Sequence, residues 1–357
     1  MSTTHATATA SGVVMRIALL RSTPVSPGLL AVLVCTLIGC STADPVVIDR
    51  GEPKVVFIIV DGIPADVLET APTPFIDELA GETGYARAYV GGEPGGASES
   101  PTVSAVGYNS LLTGTWANKH NVYSNAIEAP DYRYWDIFRI AKQQNASIRT
   151  ALFSSWEDNR TKLIGEGLPE AGGQKLNYYF DGFENDEERF PHDEARQFIR
   201  EIDALVSDEA ASYISREGPD LSWVYLEFTD DIGHMFGDGD ELNSAVTLMD
   251  ANVGKIWQAA MQRQVLYEED WLILVTTDHG RDTDTGKNHG GQSERERTIW
   301  IASNSERLNR NFYNMPGIVD VLPSLITHLE VAVPAEIRDQ LDGETFIDRA
   351  GNSTATD

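Results

Sequence analysis

The sequence predicts an α/β protein in which a largely parallel sheet is sandwiched between helices. The first observation is a set of continuous apolar runs, typical of buried parallel strands, at Val55–Val60, Leu221–Phe228 and Trp271–Thr277. The second is that stretches with helical periodicity alternate with these runs, which favours a sheet covered on both faces. The predicted helices are Pro74–Ala80, Tyr134–Gln143, Asp193–Glu217, Glu241–Arg263 and Val319–Leu329.

The composition agrees with a large folded domain. Hydrophobic residues make up 41% of the 357 residues and aromatic residues 9%, which is enough for a packed core. The formal net charge of −28 repels phosphate backbones, so we expect no nucleic acid duplex as a partner. The two cysteines are Cys35 and Cys40, so the chain after them contains neither an internal disulfide nor a thiolate metal site.

The first forty residues are typical of an export signal. Arginines precede the apolar run 29–38, which is short for a bilayer span and fits a signal peptide. The Leu-Ile-Gly-Cys sequence at 37–40 resembles the bacterial lipobox, which implies acylation of Cys40. Ser41 is compatible with sorting to the outer membrane, so we expect a periplasmic lipoprotein held at a membrane by its lipid anchor. An ordinary signal peptide or an anchor helix is the alternative.

The chain divides into four parts. Residues 1–40 are the predicted signal peptide with its lipobox, and residues 41–52 form a polar tether. We expect one domain over 53–348, with a variable insertion at about 126–219 that includes a small cap or long connection. The polar residues 349–357 are predicted to be a frayed tail.

Acidic and imidazole side chains follow all three predicted strands. Asp61 follows the first, Asp230 and His234 follow the second, and Asp278 and His279 follow the third. Each taken alone is explained by a turn or by surface polarity. However, ligands bind at the carboxyl ends of strands in α/β sheets, so the coincidence predicts one shared site.

The ligand types indicate a metal centre. Asp230 and His234 are four residues apart, so a single helical turn can present both to one ion. His289 lies in a Gly-rich loop where a side chain can approach a metal closely. Carboxylate and imidazole ligands without thiolates suit zinc or a similar divalent ion.

Ser104 is the candidate nucleophile. It opens a helix-like stretch after a Gly-rich loop, and the free N–H groups of a helix N-terminus stabilise anionic oxygens. The alternative interpretation is that Ser104 or Thr102 only caps the helix.

Four sequence blocks, taken together and in order, resemble the alkaline phosphatase superfamily, close to its nucleotide pyrophosphatase/phosphodiesterase branch. The blocks are IIVDG, PTVSAVGYNSLLTG, FTDDIGH and TTDHG followed by NHGG, and they cover roughly residues 54–304. The resemblance implies an alkaline-phosphatase-like fold and two divalent metal ions, with Zn²⁺ the expected metal. The implied ligands of one ion are Asp61, Ser104, Asp278 and His279. Those of the other are Asp230, His234 and His289.

The resemblance also implies a reaction. Ser104 would form a phosphoseryl intermediate, and Asn125 with the backbone N–H after Ser104 would stabilise the phosphoryl oxygens. The expected substrate is a small phosphodiester or pyrophosphate. Two departures from the branch are Ser104 where threonine is common and Ala105 where an aromatic residue commonly stacks a base, which puts nucleotide specificity in doubt.

Other activities remain open at this point. A phosphomonoesterase or phosphonate hydrolase of the same superfamily is the alternative, whereas the residues after Ser104 lack the sulfatase signature. A surface protein that binds phosphates or glycans without turnover is a third possibility. The complete ligand set together with Ser104 favours an enzyme.

Overall fold

The computed structural model describes residues 51–349, which contain one seven-stranded sheet. The strands are β1 (Pro53–Val60), β2 (Tyr85–Tyr89), β3 (Thr150–Ser154), β4 (Tyr178–Phe180), β5 (Leu221–Leu226), β6 (Asp270–Thr276) and β7 (Thr298–Ser303). Their order in the sheet is β2-β7-β6-β1-β5-β3-β4. Strands β6, β1, β5, β3 and β4 pair in parallel, and β7 pairs antiparallel with β6 and β2.

Eleven α-helices connect the strands within the described residues. They are α1 (Ala65–Leu68), α2 (Pro74–Ala80), α3 (Ser104–Thr113), α4 (Ala117–His120), α5 (Ile137–Gln144), α6 (Gln197–Glu217), α7 (Phe228–Phe236), α8 (Asp240–Tyr267), α9 (Glu294–Arg297), α10 (Val321–His328) and α11 (Ala335–Arg338). Short turns of 3₁₀ helix occupy Pro169–Ala171, Phe183–Asn185 and Ile318–Asp320, and a π-helix occupies Asn159–Leu163. No helix in residues 51–349 is long and apolar enough to cross a membrane.

Both faces of the sheet are buried, which explains the continuous apolar runs. Side chains alternate between the faces of a strand, so Phe57 and Ile58 of β1 belong to different hydrophobic clusters. Helices α3, α5 and α10 cover the face of Phe57, and α6, α7 and α8 cover the face of Ile58. The predicted α/β fold with a largely parallel sheet is therefore confirmed.

The strand register brings the residues that follow β1, β5 and β6 to the same end of the sheet. Val60 of β1 is opposite Leu226 of β5, and Ile59 is opposite Thr276 of β6, so these three strands end together. Their carboxyl ends form one rim of the sheet, which we call the catalytic rim.

The segment 126–219 contributes to the core as well as to the surface. Strand β3 pairs with β5, and α6 packs along the sheet, so these parts are integral to the fold. Between them, residues 157–191 form short turns and the edge strand β4. The predicted signal peptide, most of the tether and the tail beyond Arg349 lie outside the described residues.

A buried ion pair holds part of this segment together. The Lys175 ammonium lies 2.7 Å from Asp136 Oδ2, and the two side chains are only 1% and 6% exposed. Lys175 also donates hydrogen bonds to the carbonyls of Ile164 and Ala171. One cation thus joins two separate turns to the N-terminus of α5.

Replacing this lysine should destabilise the domain strongly. We expect Lys175→Met to lower the free energy of unfolding by about 3 kcal/mol, because Asp136 is left as a buried, unpaired charge. The matched control is Lys255→Met, since Lys255 makes an ion pair of the same length with Asp208 in which the side chains are 41% and 63% exposed. The control should cost less than about 0.5 kcal/mol. If urea unfolding showed the same loss of unfolding free energy in both variants, burial of the Lys175–Asp136 pair would contribute nothing to stability.

Candidate active site and metal centre

The first ligand group lies beyond the ends of β1 and β6. Asp61 directly follows β1, whereas Asp278 and His279 follow β6 after one residue. His279 Nε2 lies 3.4 Å from Asp61 Oδ1 and 3.2 Å from Asp278 Oδ2. All three side chains are buried. The three residues can therefore offer ligand atoms to one ion.

The second ligand group lies beside the first. Asp230 and His234 belong to α7, and His289 comes from the loop between β6 and β7. His234 Nε2 lies 3.2 Å from Asp230 Oδ2 and 3.1 Å from His289 Nε2. The side chain of His234 is 44% exposed, so this group opens to solvent, unlike the first.

Stacked histidines join the two groups. The rings of His279 and His289 lie parallel at a centroid distance of 3.7 Å, with an interplanar angle of 11°. Each ring uses its Nδ1 in a hydrogen bond of 2.9 Å to a backbone carbonyl, that of Gly280 for His279 and that of Thr102 for His289. With Nδ1 acting as the donor, each Nε2 is left as the acceptor nitrogen: that of His279 faces Asp61 and Asp278, and that of His289 faces His234. Such carbonyl partners are typical of metal-binding histidines.

Ser104 lies against the first group. It is the first residue of α3, and its Oγ lies 3.4 Å from His279 Nε2. Close backbone packing sets this position, because a Cβ added at Gly107 would lie 2.8 Å from the carbonyl oxygen of Asp278. The hydroxyl is thus held at a helix N-terminus beside two carboxylates.

Asn125 is brought to the same helix N-terminus. Its Oδ1 accepts a hydrogen bond of 3.0 Å from the backbone N–H of Ala105. That N–H, which the resemblance assigns to the phosphoryl group, is therefore bonded to Asn125 in this structure. The amide nitrogen of Asn125 is the group that remains to face a substrate.

Carboxylates crowded away from solvent determine the electrostatics. Burial, reinforced by the charges of Asp278 and Asp230, raises the pKa of Asp61 well above its usual value. Burial and the charge of Asp230 raise the pKa of Asp278 to about 7. Burial also acts to raise the pKa of Asp230, but the His234 hydrogen bond and the Arg281 charge outweigh it and lower that pKa.

Two oxygen atoms of this cluster have no partner. Asp61 Oδ1 and Asp278 Oδ2 are buried and accept no hydrogen bond. Buried polar atoms are almost always satisfied, so orphaned carboxylate oxygens side by side need a counter-charge. A divalent cation supplies that charge, and the donor set of carboxylate, imidazole and hydroxyl oxygen fits it.

The orientation of Asp61 is fixed by two tyrosines, which the sequence did not indicate as its partners. Its Oδ2 accepts hydrogen bonds from Tyr108 Oη and, at 2.7 Å, from Tyr225 Oη. Tyr108 lies one helical turn after Ser104 on α3, and Tyr225 lies on β5 beside β1. The four-residue spacing from Ser104 to Tyr108 and the pairing of β5 with β1 could have indicated this contact. In the sequence, however, both tyrosines resemble ordinary core residues.

Arg281 is a buried arginine that pairs with the metal-ligand candidate Asp230. It is fully buried and donates to Gly62 O at 2.9 Å, to Asp230 O at 2.7 Å and to the Asp230 carboxylate. Its guanidinium occupies the space above Gly233, where a Cβ would lie 2.1 Å from Arg281 Cζ. Arg281 therefore orients a ligand residue and is not free to bind a substrate anion.

The family assignment follows from the order of these residues along the chain. The model of the type I phosphodiesterase / nucleotide pyrophosphatase family matches residues 55–294, a range that contains both ligand groups and Ser104. The chain belongs to this family. It is accordingly a hydrolase of the alkaline phosphatase superfamily, in a family that acts on small phosphate esters and is typically dependent on divalent metals.

Solved structures of the superfamily share the fold of this family member. An inactive murine ectonucleotide pyrophosphatase/phosphodiesterase 5 in complex with AMP is 14% identical, with a TM-score of 0.56 over 79% of this chain and 96% of that one. The phosphonate monoester hydrolase of Agrobacterium radiobacter is 16% identical, with a TM-score of 0.57 over 82% of this chain and 76% of that one. A 2-O GAG sulfatase is 14% identical, with a TM-score of 0.56 over 84% and 76% of the two chains. No curated protein matches significantly in sequence.

The hydrogen bonds to Asp61 should tune metal affinity. We expect Tyr108→Phe to weaken binding of the ion at the first ligand group about 10-fold to 100-fold, because Asp61 loses a donor that fixes its orientation. Tyr85→Phe is the matched control, since Tyr85 donates to Glu69 at the surface, away from the site. Zinc titration by calorimetry measures both variants. Unchanged affinity in Tyr108→Phe would exclude this positioning role.

Proposed function

We propose that this family member is a two-metal phosphoric ester hydrolase, with Zn²⁺ as the metal and Ser104 as the nucleophile. The observation that carries the proposal is the pair of buried, unpartnered carboxylate oxygens on Asp61 and Asp278 beside the Ser104 hydroxyl. Such an arrangement is costly without cations and is suited to holding a metal-activated hydroxyl.

The ligand groups divide the work between two ions. Asp61, Asp278, His279 and the Ser104 oxygen would hold one of them. Asp230, His234 and His289 would hold the other. When bound, the ions supply positive charge that lowers the pKa of the serine hydroxyl and neutralises the leaving oxygen.

The residues of the chain determine the course of the reaction. Ser104 Oγ gives up its proton and forms a bond to phosphorus while the bond to the leaving oxygen breaks. The leaving alcohol or phosphate takes up the proton, and the rest of the phosphate ester stays bound to Ser104 as a phosphoseryl intermediate. Water then attacks phosphorus, the Ser104 oxygen leaves and takes a proton from that water, and the remaining phosphate ester is released. In this proposal the Asn125 amide nitrogen donates to a phosphoryl oxygen, and the positive end of the α3 dipole adds favourable charge, so both stabilise the transition state.

A diester or pyrophosphate is the favoured substrate class. A monoester carries one more negative charge at the transferred group, which a free arginine, a lysine or a third metal must balance. Arg281 is engaged by Asp230, and the metal-type clusters found in the described residues are the two already named. Ala105 leaves no aromatic ring next to the nucleophile, so we do not assign a nucleotide as the substrate.

We also propose that the protein is exported and acylated at Cys40. In this proposal, the enzyme resides in the periplasm of a bacterium, anchored to the outer membrane through its lipid. The support comes from the sequence of residues 1–41, because that segment lies outside the described structure.

A panel of nitrophenyl esters tests the catalytic proposal. With zinc supplied, we expect the bis-nitrophenyl phosphodiester to be hydrolysed faster than the phosphate monoester, the phosphonate and the sulfate ester. Ser104→Ala should lower diester turnover at least about 1,000-fold and abolish the nitrophenyl phosphoseryl intermediate trapped by acid quenching, because the nucleophile is removed.

The conservative variant provides the control. Ser104→Thr keeps a hydroxyl at the same position and should retain measurable turnover and the covalent intermediate. Zinc content is measured in each variant, so that loss of metal is not mistaken for loss of the nucleophile. Near-full diester turnover in zinc-loaded Ser104→Ala would overturn the assignment, and a monoester preference would favour the alternative activity.

A further inference from the structure

Apolar side chains at the end of α8 are exposed without a partner from the core. Val265 is 80% exposed, Leu266 is 64% exposed and Tyr267 is 58% exposed. Scattered exposed apolar residues need no explanation, but three in succession concentrate exposed apolar surface at one end of a helix, which is typical of an interaction site. We call residues 265–267 the α8 patch.

Within the patch, the Tyr267 ring packs on the Arg263 guanidinium, whose Cζ lies 4.2 Å from the ring centroid. Arg263, one residue before the final turn begins, is buried and makes a bidentate ion pair with Glu269 at 2.6 and 2.8 Å. The chain reverses between these residues through Glu268, whose φ is +57°, and then enters β6. The α8 patch therefore lies on a turn that extends past the buried core.

The described chain begins beside this turn. Glu52 O accepts a hydrogen bond of 2.9 Å from the backbone N–H of Asp270. Gly51 packs so closely on the backbone of Glu268 that an added Cβ would lie 1.6 Å from the Glu268 carbonyl oxygen. The segment that leads back to Cys40 thus leaves the domain next to the α8 patch. A tether from residue 41 to residue 50 spans roughly 35 Å at full extension and about 18 Å on average if flexible.

The catalytic rim lies at the opposite edge of the sheet. The α8 patch immediately precedes β6, whereas Asp278 follows β6. A strand of seven residues separates them by roughly 23 Å. A surface that covers the patch would therefore leave the catalytic rim uncovered.

We propose that the α8 patch rests on the surface of a lipid bilayer. The predicted acyl group on Cys40 provides the attachment, and the patch sets the orientation, so that the catalytic rim faces away from the membrane. Substrates would then reach the site from the aqueous side. The net charge of −28 opposes binding to anionic lipid, so the expected surface is rich in zwitterionic phospholipid. This proposal depends on acylation of Cys40 and not on the proposed reaction.

Depth-dependent fluorescence quenching tests the orientation. The protein acylated at Cys40 is reconstituted in vesicles of phosphatidylethanolamine and phosphatidylcholine that contain spin-labelled phosphatidylcholine. Leu266→Cys carries an environment-sensitive fluorophore, and Glu241→Cys, exposed near the other end of the same helix, is the matched control. The parent chain, labelled in parallel, measures the background, which should be low because an acylated Cys40 has no free thiol.

The two positions should behave differently. We expect the label at 266 to shift its emission to shorter wavelength and to be quenched several-fold more strongly than the label at 241. Equal quenching at the two positions would overturn the proposal, as would absence of the acyl group from Cys40. A blue shift that depends on protein concentration but not on lipid would also overturn it, since a second copy of the chain would then cover the patch.

Discussion

Mutual repulsion among three aspartates inside the protein governs the design of the site. Asp61, Asp230 and Asp278 lie at one rim because β1, β5 and β6 end in register. Arg281 and His234 compensate the charge of Asp230, but Asp61 and Asp278 retain buried oxygens without partners. A folded chain tolerates such a cluster when cations are present to neutralise it. The same cations would also activate the serine hydroxyl as a nucleophile for phosphorus. Bound metal would therefore both stabilise the catalytic rim and enable its reaction.

Several parts of this arrangement could be predicted from the sequence because they follow local rules. Strands buried on both faces read as continuous apolar runs, and residues directly after such strands must reach the same edge of a parallel sheet. Strands β2, β3, β4 and β7 were not among the predicted strands, and the direction of β7 could not be predicted because an apolar run does not reveal it. Strand β7 runs antiparallel to β6. Its antiparallel course explains how His289 reaches the site, since the connection from β6 to β7 begins and ends at the catalytic rim. The assignment of individual ligands to individual ions stays a prediction.

Contacts between distant segments account for most of what the sequence could not reveal. Arg281 reads as a surface arginine, but Gly233 leaves room for its guanidinium beneath α7. The bond from the Ala105 N–H to Asn125 depends on a turn whose path has no periodic signature. The segment 126–219 is polar in its middle, which suggested a cap, although β3 and α6 within it belong to the central layers. In each case a partner far along the chain, and not local propensity, decides the outcome.

Locating the bound metal is the most direct test of the account. Anomalous diffraction from crystals grown with zinc, recorded on both sides of the zinc absorption edge, identifies each zinc position independently of activity. We expect two zinc peaks about 4 Å apart. One should lie among Asp61, Asp278, His279 and Ser104, and the other among Asp230, His234 and His289. An active diesterase with a single peak, or with peaks away from Asp61 and Asp278, would contradict it.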